Sequence, residues 1–302
     1  MKQSSKILII GSSNTDLVVK TDHIPEPGET ILGDNFMIAA GGKGANQAVA
    51  AARLGGDVAF IACVGDDMFG RQTLENYKKE NMDISHIRTD KTAPSGVALI
   101  SVAADGENCI VVAPGANSCL STADIDAADA LFREAEYILM QLEIPMPVIE
   151  YAAAKGKKYG KKVIINPAPA APLSAELLKG LYLITPNKTE CRQLTGIDIE
   201  NDADLDRAAE CLMAKGVENV VITLGGKGSY VRTPAGSSVV PTMKVKAMDT
   251  TGAGDTYNGS LLVALSEGHP LEKAVSFASK AAAISVTRMG AQPSIPYRKE
   301  ME

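Results

Sequence analysis

Short apolar runs rich in β-branched residues alternate with longer stretches of helical periodicity along most of this chain, and that rhythm restricts its fold more than any other feature. The runs at 7–10, 58–64, 137–142, 163–165, 181–184 and 220–224 are apolar almost throughout, as strands buried on both faces must be. Helical patterns at 43–54, 71–80, 122–133, 148–159, 189–194 and 204–215 lie between them. The alternation predicts an α/β fold, a three-layer α/β/α domain around a mainly parallel central sheet. No Pro/Ser-rich linker and no internal repeat divides the 302 residues, so 1–302 reads as a single domain.

Two stretches break the rhythm. Residues 17–19 with 29–38, and 96–103 joined through Asp105-Gly106 to 110–112, are strand-like without accompanying helices, and the Asp-Gly pair is a hairpin signal. They predict a small β-sheet lid drawn from about 13–38 and 95–112. A sheet with one uncovered face needs a ligand or a second subunit against it, and a homodimer through the lid is expected.

The net charge of −6, with lysines and arginines scattered along the chain, argues against a nucleic-acid or anionic-membrane surface. Five cysteines form an odd set without a Cys-x-x-Cys pair, which fits reduced thiols and a cytoplasmic setting. The apolar run after Met1-Lys2-Gln3-Ser4-Ser5-Lys6 is too short for a signal peptide, and no stretch approaches membrane-spanning length.

The chemistry concentrates where strands end. Asp249-Thr250-Thr251-Gly252-Ala253-Gly254-Asp255 runs into an amphipathic stretch at 257–265. Glycines before a helix leave its first N–H groups approachable by phosphate oxygens, and a carboxylate on that turn can take a proton from an attacking hydroxyl. The plain alternative makes Asp255 a helix cap and the glycines turn residues. Gly41-Gly42-Lys43-Gly44-Ala45-Asn46-Gln47 opens a second helix, from whose first turn Lys43 and Asn46 project together toward hydroxyls; a simple turn and helix start accounts for it too. Asn14-x-Asp16 after the first strand is either a clamp for neighbouring hydroxyls or an Asx turn. Glu143, ending an apolar run, needs a partner or a ligand. Asn187 and Glu190 are spaced as a capping box or as polar groups near Mg²⁺. The glycines of Thr223-Leu224-Gly225-Gly226-Lys227-Gly228 form a hairpin turn that can also admit phosphates to backbone N–H groups. Neither the P-loop nor the dinucleotide fingerprint is present, which weakens a nicotinamide dehydrogenase reading.

Taken in order, Gly11-Ser12-x-Asn14-x-Asp16, the Gly41–Asn46 segment, Gln141-Leu142-Glu143, Asn166-Pro167-Ala168-Pro169, Thr185-Pro186-Asn187-x-x-Glu190, Thr223-x-Gly225 and the Asp249–Asp255 run resemble the ribokinase-like family of carbohydrate kinases across nearly the whole chain. The resemblance implies ATP-dependent phosphorylation of the 5-hydroxyl of ribose. Asn14, Asp16, Gly42, Lys43, Asn46 and Glu143 would hold the sugar, and Asp255 would be the base. The N–H groups of Gly252, Ala253 and Gly254 would form the anion hole. Asn187, Thr223, Gly225, Gly228, Gly254 and Ser279 would line the ATP site, and Glu190 would help position Mg²⁺. A monovalent cation, usually K⁺, would sit by Asp249, Thr251, Ser285, Arg288, Gly290 and Ser294, with Arg288 offering its carbonyl. Ser279 departs from the amide side chain common in relatives. The positive helix end is expected to keep Asp255 ionised and a weak base. A kinase for fructose, 2-keto-3-deoxygluconate or a nucleoside, and a non-catalytic sugar-binding regulator, remain the competing readings.

Overall fold

The computed structural model describes residues 5–302; the start of the short N-terminal run, residues 1–4, lies outside the described residues. The strands are β1 (Ile7–Ile10), β2 (Asn14–Lys20), β3 (Phe36–Gly41), β4 (Val58–Gly65), β5 (Ile87–Asp90), β6 (Gly96–Val102), β7 (Asn108–Ala113), β8 (Tyr137–Met140), β9 (Lys162–Ile165), β10 (Leu183–Ile184), β11 (Asn219–Thr223), β12 (Ser229–Thr233) and β13 (Gly236–Val240). Nine form one sheet in the order β13-β12-β11-β10-β9-β8-β1-β4-β5, parallel except for the antiparallel β12 and β13 at one edge. The sheet is covered on both faces. In β1, Leu8 and Ile10 enter one buried cluster while Ile7 and Ile9 enter the other, which is why the strand reads as an unbroken apolar run.

From β1 the order runs outward through β8 to β11 in one direction and through β4 to β5 in the other. The reversal opens a crevice beyond the carboxyl ends of β1 and β8, the position where open α/β sheets bind ligands. Two helices packed on one face of the sheet, Lys43–Arg53 and Ala253–Ser266, bring their first turns to that crevice. They approach closely because Gly259 has no side chain. A Cβ there would meet the carbonyl oxygen of Gln47 and lie 2.7 Å from the Cβ of Ala50.

The second sheet has the order β3-β2-β6-β7 and is the expected lid. Its Asp105-Gly106 turn joins the antiparallel pair β6 and β7, with Gly106 at a φ of 90°. One boundary needs correction. The lid continues past residue 38, since β3 starts only at Phe36 and runs to Gly41, while the preceding Pro25-Glu26-Pro27-Gly28 region is irregular. Proline lacks the N–H a ladder requires, so pairing is delayed. By register Phe36, Ile38, Leu99 and Val111 share the face opposite Asp16 and leave it apolar and exposed. The helix expected over 122–133 is two, Thr122–Ala127 and Asp129–Glu134, divided at Ala128 with ψ of 19°. The helix Leu271–Ser285, started by Pro270, was not anticipated. No helix among the described residues is long and apolar enough to cross a membrane.

Candidate active site

Five segments converge on the crevice. The turn after β1 brings Ser12, whose hydroxyl donates to Glu143 Oε2 at 2.6 Å from the segment following β8. The same oxygen accepts the backbone N–H of Lys43 at 3.0 Å. Glu143 thereby spans the topological switch point, so the partner demanded by an acid after an apolar strand is found in part in the protein itself. β2 and β3 start and end here, with Asn14 paired to Gly41 in register. Asn14 Oδ1 accepts from Asn117 Nδ2 at 2.7 Å, which fixes the orientation of its amide.

Asp255 stands at the third position of its helix and is only 6% exposed. It caps nothing. The N-cap is Gly252, in the left-handed region at a φ of 71°, and no side chain caps the helix. A Cβ on Gly252 would lie 3.1 Å from the Cα of Ala291, so both the backbone angle and the close approach call for glycine. The carboxylate of Asp255 instead accepts Asn46 Nδ2 on Oδ2 at 2.9 Å and Gln47 Nε2 on Oδ1 at 3.0 Å. This removes the capping reading and leaves the N–H groups at the helix start free of a side-chain cap.

The charges form one cluster. Burial, reinforced by Glu143 and Asp255, raises the pKa of Asp16 to about 6. No donor among the described residues reaches its carboxylate. Burial lowers Lys43, but Asp255, Glu143 and Glu190 outweigh it and hold the ammonium above its ordinary value. Burial raises Asp255 against the opposing pull of Lys43 and the two amides. The expected weak base held ionised by the helix end is corrected accordingly: loss of solvent outweighs the stabilising partners, and Asp255 is a stronger base than a free aspartate. The structure therefore brings Asn14, Asp16, Gly42, Lys43, Asn46, Glu143 and Asp255 into one site. The Oδ1 of Asn46 is buried without a partner, an acceptor still open for a hydroxyl.

On the other side of the Ala253–Ser266 helix lies a cavity of about 550 Å³. Thr223, Gly225, Gly228, Gly254 and Ser279 line it, together with the unanticipated Thr242–Ala247 stretch and Val286. Asn187 is not in the lining. It bridges Thr223 in the sheet, and with Glu190 it forms a reciprocal capping box with both bonds at 2.8 Å. The capping function is thus real, yet Glu190 also has its pKa raised by burial and faces the charges of Lys43 and Asp255. A single buried carboxylate facing Lys43 and Asp255 is the kind of donor Mg²⁺ takes, since that ion binds through one or two acids, substrate phosphates and water.

Asp249 binds Thr251 through its N–H at 2.9 Å and its hydroxyl at 2.7 Å, and Gly290 N–H at 2.7 Å, so three of the six residues expected around a monovalent cation are joined. Ser285 lies at the end of the unanticipated helix, adjoining Val286, whose carbonyl accepts the N–H of Asp249 at 3.2 Å. The guanidinium of Arg288 pairs with Glu300, and Ser294 turns its hydroxyl to the carbonyl of Ala291. An acid whose neighbouring cationic side chain is engaged elsewhere retains negative charge, which fits a monovalent cation.

Sequence reasoning passed over Ser12, Gln47, Asn117 and Asn166. Ser12 and Asn166 lie inside the segments that carried the resemblance and Gln47 directly follows one; what marks Gln47 and Asn166 is burial, the former fully buried and the latter 6% exposed.

The model of the pfkB family of carbohydrate kinases matches residues 4–298. This chain belongs to that family. It is 46% identical to a ribokinase of Haemophilus influenzae over 294 residues, 97% of this chain and 96% of that one. A deoxyribokinase of Salmonella typhimurium is 38% identical over 291 residues, covering 96% and 95%. The structure of Arabidopsis thaliana ribokinase complexed with ribose and ATP superimposes with a TM-score of 0.92 at 32% identity, covering 99% of this chain and 98% of that one.

Proposed function

We propose that this pfkB-family enzyme transfers the γ-phosphoryl group of ATP to the 5-hydroxyl of D-ribose, giving ribose 5-phosphate and ADP. The observation that carries the reading is Asp255: buried at the head of a glycine-opened helix, it is held by two side-chain amides and caps nothing. A base so placed serves a reacting hydroxyl, and a regulator that only bound sugar would have no use for it.

In this reading Asn14, Asp16, Gly42, Lys43, Asn46 and Glu143 bind the sugar. Asp16 and Glu143 accept from its hydroxyls, and the open Oδ1 of Asn46 takes another. Asp255 receives the 5-hydroxyl proton as the oxygen attacks the γ-phosphorus in line, and the bond to the β-bridging oxygen breaks to release ADP. The N–H groups of Gly252, Ala253 and Gly254 stabilise charge on the transferring group, where a loose transition state most needs it. Thr223, Gly225, Gly228 and Ser279 line the nucleotide's cavity, and Asn187 acts from beside it through its bridge to Thr223. Glu190 would hold Mg²⁺ through water, and the metal would neutralise phosphate charge. Asp249, Thr251, Gly290, Ser294 and the carbonyls of Ser285 and Arg288 would hold K⁺ behind the anion hole.

The small sheet carries Asn14 and Asp16 on β2, so its movement over bound sugar would exclude competing water. Its apolar outer face is proposed to pair with a second copy; a monomer mass in light scattering at working concentration defeats that assembly. The function is tested by coupled ADP release with ribose, deoxyribose, fructose, 2-keto-3-deoxygluconate and adenosine, with and without K⁺. Ribose is expected to give the highest kcat/KM, with stimulation by K⁺. Turnover of adenosine or fructose in preference to ribose overturns the substrate assignment.

A further inference from the structure

Behind Asp255 lies a network of buried polar groups that runs from its carboxylate back to the carbonyl of Gly254. Gln47 is fully buried and uses its amide completely. Its Nε2 donates to Asp255 Oδ1 at 3.0 Å and to Asn166 Oδ1 at 2.9 Å, and its Oε1 accepts from Gln141 Nε2. Asn166, just after β9, donates to the carbonyl of Thr185 at 3.2 Å. The hydroxyl of Thr185 donates to Asn258 Oδ1 at 2.6 Å, and Asn258 Nδ2 returns to the carbonyl of Gly254 at 2.8 Å. The residue expected to accept the proton and the peptide preceding it are therefore pinned from opposite ends by one network.

We infer that Gln47 is a positioning residue for phosphoryl transfer: it aims the Asp255 carboxylate and stabilises its ionised form, with Asn166 and Gln141 locking its own orientation. The inference deepens the kinase reading and rests on it. A glutamine whose two N–H groups are directed to two oxygens, and whose oxygen is held by a third amide, cannot flip without losing all three bonds. Asn46 supplies the other donor to Asp255, but its own Oδ1 remains open toward substrate, so it cannot be as firmly fixed when the site is empty. Gln47 thus supplies the orientation that is independent of the sugar. Preserving that orientation matters because small displacements of a base from a near-attack geometry cost large factors in rate.

A residue that only filled space would contribute to stability alone. A donor to the charged form of the base has a second signature: its loss raises the pKa of that base, and activity then requires a higher pH. The other charges around Asp255 are Lys43 on its helix, Glu143 after β8, Glu190 on the Lys188–Thr195 helix and Asp16 on β2. All are unchanged by substitution at Gln47, so a shift is attributable to the amide.

The test compares the pH dependence of kcat in the wild-type enzyme, Gln47→Leu and Gln47→Glu, with both Michaelis constants. For Gln47→Leu a fall in kcat of about tenfold to a hundredfold is expected, the effect of losing a hydrogen bond to a charged group. KM for ribose and for ATP should stay within about threefold, and the acidic limb should move up by about one pH unit. Gln47→Glu, which keeps the shape but faces Asp255 with a second acid, should move the limb further. An unchanged kcat, or a lower kcat with an unmoved limb and a lowered Tm, overturns the inference. Should Gln47→Leu not fold, Gln141→Met decides: it removes the amide that holds Gln47 and should shift the limb in the same direction with a kcat loss of about two- to fivefold. No shift there is equally fatal. A wild-type enzyme without ADP release on any sugar sinks the kinase reading itself, whereas normal wild-type turnover beside a normal Gln47→Leu sinks only this inference.

Discussion

The two halves of the site are built on opposite principles. On the acceptor side, side chains crowd into a buried cluster where burial and neighbouring charges, that of Glu143 included, shift Asp16, Lys43, Glu190 and Asp255, and two side-chain amides hold the Asp255 carboxylate in place. On the donor side, glycine backbone and small residues line a roomy cavity, and apolar atoms from Val245, Ala282 and Val286 outnumber charged groups. The contrast follows from the ligands. A pentose offers only hydroxyls, whose positions must be read by directional partners. A nucleotide offers a flat base for apolar contact and an anionic tail that backbone N–H groups serve without any particular side chain. Substitutions on the acceptor side should therefore cost rate and sugar affinity, and those on the donor side should have small effects.

The largest effect that sharpens this contrast is expected from Asp255→Asn. General-base catalysis contributes about 10²–10⁴, so kcat should fall by that factor while KM for ATP stays within about threefold. Steady-state kinetics with rapid quench measures both. A loss below tenfold would place the base elsewhere. Glu143→Gln comes next: it keeps the bonds from Ser12 and the Lys43 N–H but removes the charge, so KM for ribose should rise about tenfold to a hundredfold with little change for ATP. Equal increases for both substrates would erase the distinction between the two halves.

Acidity provides a third comparison. Asp16 has its pKa raised to about 6 by burial and by its acidic neighbours. Between about 4 and 6 the folded protein binds more protons at this site than the unfolded chain, so this group makes stability fall as pH rises through that window. Asp16→Asn should accordingly be more stable than wild type above pH 6, by up to about 3 kcal/mol, and the difference should vanish below pH 4. Urea unfolding of both proteins across pH 4–7 checks it. With ribose held by the ionised form of Asp16, as proposed, wild-type KM for ribose should rise about tenfold per pH unit below 6 while KM for ATP follows a different profile. A wild type as stable as Asp16→Asn at pH 7 would show that the substrate-free site carries no such strain.

The same contrast explains what could be seen in the chain beforehand. The parallel sheet was legible because β1, β4 and β8 are buried on both faces and must be continuously apolar. Asn14, Lys43, Asn46, Glu143 and Asp255 stood out because polar groups beside apolar strands and glycine turns need a reason. Gln47 and Asn166 did not, since their significance lies in bonds to residues about 90 to 210 positions away that only the folded crossing of the helices creates. The donor side was harder still. The lining at Thr242–Ala247 forms no regular element, and it works through backbone and small side chains that leave little compositional trace. The Leu271–Ser285 helix was missed although Ala274, Val275, Ala278 and Ala281 follow a helical spacing, because alanine-rich faces give a weak apolar contrast. The dipole argument for Asp255 failed for another reason: sequence locates a helix end, but only the packed neighbours decide how much solvent the carboxylate loses.

The smallest expected effect tests the donor side directly. Ser279 is 4% exposed, lines the cavity proposed for the nucleotide and has a buried hydroxyl with no hydrogen-bond partner. An amide at this position carries donor and acceptor together, matching the mixed edge of an adenine, and the cavity has room for the longer side chain. Ser279→Asn should lower KM for ATP by about two- to fivefold, the yield of one added neutral hydrogen bond, and leave KM for ribose and kcat unchanged. Isothermal titration with a non-hydrolysable ATP analogue and steady-state kinetics separate affinity from turnover. A change as large as that of Glu143→Gln would mean that the donor side also depends on individual side chains, and the contrast between the two halves would then have to be abandoned.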